Sequence, residues 1–358
     1  MKKILFPILA IGSILTGCHN SDIDFPDFDY QTIYFARQSP IRTITLGEER
    51  FADNDIDNEH AVEIYAALGG VNENRKNHDV KFVIDNSLCD RIVFSDGSAI
   101  KALPQEYYNV YTDHITIRKG EVLGGFRVEL TDAFFNDPAA VELNYVLPVR
   151  LTESADSILS GQAKPEFGEN ADRLNGDHWS VKPQDYVLYA LKYKNAYHGC
   201  WLSKGTDKIV NDDVATTNNR QAEMWEKASL RYLTTKSINK AVYTYTHAVA
   251  TIDADGKASE KNITCELILA IDDNGDVTVS TETPNCTATG VGKWTAKGEK
   301  KAFGDEDRDR LELKYTYTID YVVNDQAGTH ATYKAEIDEV MCLRDRQNKL
   351  EEFSFKMK

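Results

Sequence analysis

Leu311-Glu312-Leu313-Lys314-Tyr315-Thr316-Tyr317-Thr318-Ile319-Asp320-Tyr321-Val322-Val323 is the stretch that decides the fold. It is built from aromatic, β-branched and aliphatic residues with no glycine or proline, the composition of a long strand. Past Gly328 the chain resumes as a second long candidate, Thr329 to Leu343. Outward from this pair, further candidates lie at Tyr186–Tyr193, Ser229–Thr235, Ala241–Ile252, Asn262–Ile271, Val277–Thr281, Gly290–Lys297 and Glu351–Lys356. Asp255-Gly256 and Asn274-Gly275 are hairpin signals of the primed-turn kind. Sequential hairpins of about eight strands predict a closed, lipocalin-like antiparallel β-barrel over residues 179–358, because closure removes exposed strand edges. Arg220 to Lys227 is the best helix candidate within it.

Toward the N-terminus the pattern stays β but shortens. Thr32–Phe35, Arg42–Leu46, Val62–Leu68, Val80–Ile84, Ile115–Ile117, Gly125–Leu130 and Leu143–Arg150 are candidate strands, with turn signals at Asp96-Gly97, Lys119-Gly120 and Gly124-Gly125. Strands punctuated about every ten residues predict an immunoglobulin-like β-sandwich over residues 31–153. The Cys-Trp-Cys core of antibody domains is absent, since this region has no tryptophan and only Cys89. Residues 154–178 lack periodicity and read as a linker or long surface loop. The whole is an all-β, two-domain chain.

The first residues carry a different signal. Met1-Lys2-Lys3 is a cationic start, an apolar run follows from Ile4 to Leu15, and Leu15-Thr16-Gly17-Cys18 closes it. The run is of signal-peptide length and too short for a stable membrane-spanning helix. Its end is a lipobox: small residues admit the peptidase, and the Cys18 thiolate takes the diacylglyceryl group. Residues 1–17 are therefore expected to leave as a signal peptide, with the chain anchored to the membrane by lipid at Cys18. Residues 18–30 form an acidic tether.

The formal net charge is −16, and removing residues 1–17 takes it to −18 because Lys2 and Lys3 leave. Such a chain is repelled by nucleic acid and offers it no counterion release. Lipidation of Cys18 leaves Cys89, Cys200, Cys265, Cys286 and Cys342, with no CxxC or Cys/His zinc spacing. Disulfides in the C-terminal half and plain buried thiols are both compatible with that pattern.

No GxSxG, HExxH, GxGxxG or Walker loop is present. Asp53-Asn54-Asp55-Ile56-Asp57-Asn58-Glu59 alternates oxygen donors as a calcium loop does. However, Asn58 stands where such a loop needs glycine and Ile64 where it needs glutamate, so it reads as a solvated loop. Gly290-Val291-Gly292 reads as a strand glycine pair. No catalytic residue, cofactor or metal site is assigned.

Arg42 to Gly47, Leu68-Gly69-Gly70-Val71-Asn72, Leu103-Pro104-Gln105-Glu106-Tyr107-Tyr108, Leu130 to Pro138 and Asn144-Tyr145-Val146-Leu147-Pro148 together resemble an immunoglobulin-like module of Bacteroidetes surface lipoproteins. That module is of unknown function and also precedes some endo-β-N-acetylglucosaminidases. Trp179 to Gly205, including Tyr193 to Gly199, is similar to a C-terminal β module found behind it. The resemblance implies a product of a polysaccharide-utilisation locus. Such a protein is lipid-anchored at the outer membrane, faces the exterior, and captures a glycan beside outer-membrane importer proteins. The acidic stretch behind Cys18 resembles the surface-export signal of these lipoproteins. The resemblance carries no catalytic residue.

Sugar binding needs flat aromatic faces for the apolar side of the ring and amides or carboxylates for the hydroxyls. The candidates are Trp225, Trp201, Tyr197 and His198. Trp225, flanked by Glu223 and Glu226, is the exposed one by sequence, while Trp201 equally reads as a buried plug at one end of a barrel. Trp179 and Trp294 are further tryptophans, Trp294 more a core residue. A structural or adhesive envelope lipoprotein and a hydrolase hidden in the barrel are the competing readings. Two carboxylates facing an open pocket would raise the latter.

Overall fold

A computed structural model describes residues 28, 30–50 and 52–358. The signal peptide, the lipidation at Cys18 and most of the acidic tether, all expected from the sequence, fall outside the described residues.

Two β domains follow one another. The first sandwich sheet has at its centre β1 (Thr32–Tyr34), β3 (Ala61–Gly69) and β6 (Leu123–Leu130). The second is ordered β2-β8-β7-β4-β5, from Pro40–Thr45, Tyr186–Lys194, Tyr145–Ser154, His78–Ile84 and His114–Ile117. Between the sheets lies a core of Ile33, Ile44, Val62, Ile64, Phe126, Val128, Leu147, Val149 and Tyr193, among others. The alternating residues of β3, β4 and β6 supply one face each, as expected of strands with one wet side.

β7 and β8 do not alternate, and packing explains why. Their outer faces are covered as well, by Leu88, Ile92, Phe94, Ile100, Leu174 and, from the C-terminal tail, Phe353. A strand buried on both faces reads as a continuous apolar run. Segment 154–178 forms part of that cover rather than a free linker. Arg173 pairs with Asp185 at 2.9 Å, and the Trp179 indole donates to the Asp172 carbonyl at 2.7 Å.

β8 corrects the domain boundary. Tyr186–Tyr193 was expected to open the barrel, but it pairs antiparallel with β7 from Tyr145↔Leu191 to Arg150↔Tyr186 and parallel with β2. The sandwich therefore runs through Lys194, and the barrel begins after it rather than at Trp179. The tail returns to the sandwich too, with Glu351–Glu352 on β2 and Phe355–Met357 on Ile92–Phe94.

The barrel strands are β9 (Gly199–Asn211), β10 (Val214–Arg220), β11 (Ser229–Ser237), β12 (Lys240–Ile252), β13 (Ala258–Ile271), β14 (Asp276–Thr281), β15 (Cys286–Glu299), β16 (Arg308–Asn324) and β17 (Thr329–Asp345). From β11 to β17 each pairs with the next, and β17 returns to β9 over Cys200–Asn211, closing a ring of eight with β10 extending the hairpin from β9. Inward phases of these strands fill the interior: Leu233, Tyr243, Leu267, Leu269, Leu313, Tyr315, Tyr317, Ile337 and Met341 are buried. The strand content and the two-domain all-β architecture agree with the sequence reading. The helix expected over Arg220–Lys227 does not form: Arg220 ends β10, and only one turn, Trp225–Lys227, is helical. A single turn lacks the length to offset nucleation, so strand pairing decides the segment.

Among the described residues Cys89, Cys200 and Cys265 are buried free thiols, Cys286 is a half-buried one, and Cys342 is buried. Burial pushes the Cys265 thiol up to about 12, so it stays protonated. Among the described residues no helix is long and apolar enough to cross a membrane.

The domains are joined by Arg346, 1% exposed. It donates to the carbonyls of Glu48 (2.7 Å) and Ala196 (2.5 Å) and pairs with Asp309 at 3.2 Å. Asn195 secures the same junction, its side-chain amide donating to the Ser237 and Lys240 carbonyls, each at 2.8 Å. All these contacts lie at the base of the barrel, where the turn between β11 and β12 also packs Ile238 against the sandwich core.

Candidate functional site

Between β10 and β11 the chain leaves the barrel wall at Gln221 and rejoins it at Ser229. This excursion carries Trp225 onto the outer face of β9 and β17. There it walls a groove of about 670 Å³ with Lys204, Thr206 and Lys208 of β9, Glu336, Asp338 and Val340 of β17, Glu299, Arg310 and Gln221. The volume falls in the range of sites that enclose small ligands. Trp225 is half-buried; its indole N–H donates to Glu299 Oε1 at 3.2 Å, and Lys204 Nζ stands 4.3 Å from the ring centroid. Glu299 in turn pairs with Arg310, and Lys208 with Glu336 at 3.2 Å. The indole is thus fixed at its edge, beside ammonium, carboxylate and amide groups. This combination meets an apolar ring face ringed by hydroxyls.

Under the groove floor lies a polar network that sequence reading missed. Glu339, 1% exposed, points into the barrel between Ile337 and Met341. Its Oε2 accepts from Ser203 Oγ (2.6 Å) and Arg220 (3.1 Å), and its Oε1 from Tyr315 (2.7 Å). Arg220 also grips Asp207 with both ends of its fork, at 2.8 and 2.7 Å. The Tyr245 hydroxyl meets those of Tyr315 (2.5 Å) and Tyr243 (2.9 Å). Burial first, then the Glu339 charge, holds the Tyr243 and Tyr315 hydroxyls well above the usual phenol range. One signal was legible: in β17 the phase Ala331, Tyr333, Ala335, Ile337, Met341 is apolar, and Glu339 breaks it.

The other candidates lie elsewhere. Trp201 has no exposed surface and donates its indole N–H to the Tyr197 carbonyl at 3.0 Å, closing the barrel base. Tyr197 packs edge-on to Trp294, 5.3 Å between centroids. His198 accepts the Thr235 N–H on Nδ1 at 3.1 Å. Burial, with help from the Lys194 and Arg346 charges, lowers its pKa to about 4. The structure brings Trp201, Tyr197 and His198 together at the base and places Trp225 apart on the barrel's flank. In the Asp53–Glu59 cluster, Asp57 is buried, accepts the Thr45 N–H at 2.9 Å and pairs with Arg42, while Asn54 holds the Thr45 and Gly47 carbonyls. These bonds account for the loop structurally.

Fold and site define a two-domain all-β protein, a sandwich carrying a barrel with a grooved flank. Among solved structures, a Bacteroides ovatus protein of unknown function is 35% identical, over 92% of this chain and 100% of its own, with a TM-score of 0.78. The chain belongs to that protein's family. The model of a domain of unknown function, DUF5627, matches residues 196–347, and a second model, described as an N-terminal domain, matches residues 28–158. Another Bacteroides ovatus protein of unknown function is 14% identical, over 91% of this chain and 99% of that one, with a TM-score of 0.40. A multidomain Bacteroides ovatus protein including DUF1735 is 11% identical, over 89% and 97%, with a TM-score of 0.39. No curated protein matches the chain. These findings fit the Bacteroidetes origin that the module resemblance implied.

Proposed function

We propose that the chain is a non-catalytic glycan-binding lipoprotein, anchored by lipid at Cys18 to the outer membrane, facing the exterior and working beside an importer. The observation that carries the binding reading is the groove in which a fixed, half-buried Trp225 meets Lys204, Gln221 and Arg310. The non-catalytic reading draws support from the barrel carboxylates: Asp207 and Glu339 are both tied down by Arg220. The anchor rests on the lipobox, and the importer on the module resemblance.

Glycan arrays followed by calorimetry on the mature protein test the groove. A neutral oligosaccharide should bind, and Trp225→Ala should weaken it at least about tenfold, an aromatic anchor's usual share. Silence across host and plant glycans, or an unchanged affinity in the variant, sinks the reading. Cys18→Ser should abolish incorporation of labelled fatty acid.

A further inference from the structure

The barrel wall is not continuous over its full height. The β11–β12 ladder runs from Ser237↔Lys240 to Leu233↔Tyr243 and stops there. β12 continues to Ile252, paired with β13 throughout. β11 keeps to β9 instead, Ser229–Leu233 lying against Gly199–Ser203, and above it β10 pairs with β9 from Gly205 to Asn211. A seam therefore opens between β12 on one side and β10 and β11 on the other, above Tyr243.

Arg231 stands at that seam. It is the register partner of the buried Trp201, so both side chains take the barrel's inner face. Continued register would set it opposite Tyr245, and its guanidinium lies 5.9 Å from the Tyr245 ring centroid. Behind Tyr245 the rings are stacked: Tyr245 on Tyr317 at 4.9 Å and His247 on Tyr333 at 4.1 Å. The Tyr245 and His247 rings are half-buried, so part of this platform faces the opening.

The two arginines of this wall differ in one respect. Arg220 is saturated by Asp207, Glu339 and Ser203. Arg231 makes no ion pair among the described residues: its Nε is buried without a hydrogen-bond partner, and its one bond is a long 3.4 Å contact from Nη1 to the Leu230 carbonyl. A half-buried guanidinium left so is costly to the fold, and its Nη1–Nη2 end can take a carboxylate with two parallel bonds.

We infer that the seam is a second binding site, for a sugar ring bearing a carboxylate. The acid pairs with the Arg231 fork and the ring lies against Tyr245 and His247. The acid follows from Arg231; the choice of a sugar as its bearer rests on the glycan reading above. The seam opens on the barrel's inner face and the Trp225 groove on its outer face, so the two fail separately.

The test uses the full-length protein in detergent, titrated with tetragalacturonate, a hyaluronan tetrasaccharide, the carboxyl-reduced form of each, and sodium acetate. At least one uronate probe should bind about tenfold or more tightly than its reduced form, and acetate alone should bind far more weakly than either uronate. Arg231→Gln should remove that preference, whereas Trp225→Ala should keep it. Addition of the bound uronate should shift the His247 ring resonances. Because Arg231 makes no ion pair among the described residues and its Nε is buried unbonded, Arg231→Gln should unfold at the same or a higher temperature. Equal affinity for acid and reduced probes, no binding by either uronate, an unshifted His247, or a preference that survives Arg231→Gln overturns the proposal. Acetate binding as tightly as the uronates overturns the sugar and leaves an acid-only site.

Discussion

At the scale of the residue, His198 shows how a side chain with binding chemistry is absorbed by architecture. Its Nδ1 accepts the Thr235 N–H, so the ring fastens β11 to the segment leaving the sandwich. A folded pKa near 4, against the ordinary 6.5, means that the unfolded chain takes up the proton first. Its contribution is therefore complete above about pH 6.5 and is lost as pH falls from there toward 4, a loss on the order of 2–3 kcal/mol. His247, lowered first by burial and then by the Arg231 charge, adds in the same direction. Urea midpoints measured from pH 7.5 to 4.5 should fall more steeply in the wild type than in His198→Gln; parallel curves would remove His198 from the account. At this scale the sequence was readable where a residue type implies its surroundings. The plug reading of Trp201 matches its burial, whereas Trp225, expected to be exposed, is half-buried in a groove. Glu339 left one local mark, the break in the apolar phase of β17, whereas nothing local shows that Arg231 lies in the inward phase of a strand whose partners are distant.

At the scale of the element, the long hairpins were legible because alternation and turn glycines are local signals. The β15 glycine pair is an instance. Gly290 and Gly292 lie opposite the inward Tyr315 and Leu313, and a Cβ on Gly290 would come within 2.3 Å of the Tyr315 Cβ. The bare backbone lets β15 approach β16 while Tyr315 fills the interior and reaches Glu339. Gly290→Ala should thus cost about 1–3 kcal/mol by overpacking. It should also disturb Tyr315, visible as a changed tyrosine near-ultraviolet dichroism. A variant as stable as wild type with an unaltered spectrum would refute the close approach. The excursion at Gln221–Ala228 was not legible as such. Its composition suits a helix, and only the pairing of β10 and β11 along the same strand, β9, shows that it interrupts one continuous position in the wall.

At the scale of the whole molecule, the boundary was misplaced for a reason that lies in three dimensions. Tyr186–Lys194 follows a long irregular segment and precedes the barrel strands, so proximity in sequence assigns it to the barrel. Yet it fills the slot between β2 and β7, which are otherwise unjoined, and buries Val187, Leu191 and Tyr193 in the sandwich core. The Tyr193 hydroxyl donates to the Phe135 carbonyl at 2.8 Å, across that core. Arg346 then locks the barrel base onto what β8 completes. A fragment ending at residue 178 lacks a central strand and leaves two edges and a row of apolar side chains uncovered, whereas one ending at residue 195 keeps both ladders. The shorter fragment should be soluble only as a loosely packed, aggregating species without near-ultraviolet dichroism. The longer one should unfold cooperatively in urea, at a lower midpoint than the intact chain because it lacks Phe353. That ring lies 5.3 Å from the Phe94 ring in the outer layer, and loss of a buried phenylalanine costs about 3–5 kcal/mol. Cooperative unfolding of both fragments at one midpoint would show that β8 is dispensable and return the boundary to Trp179.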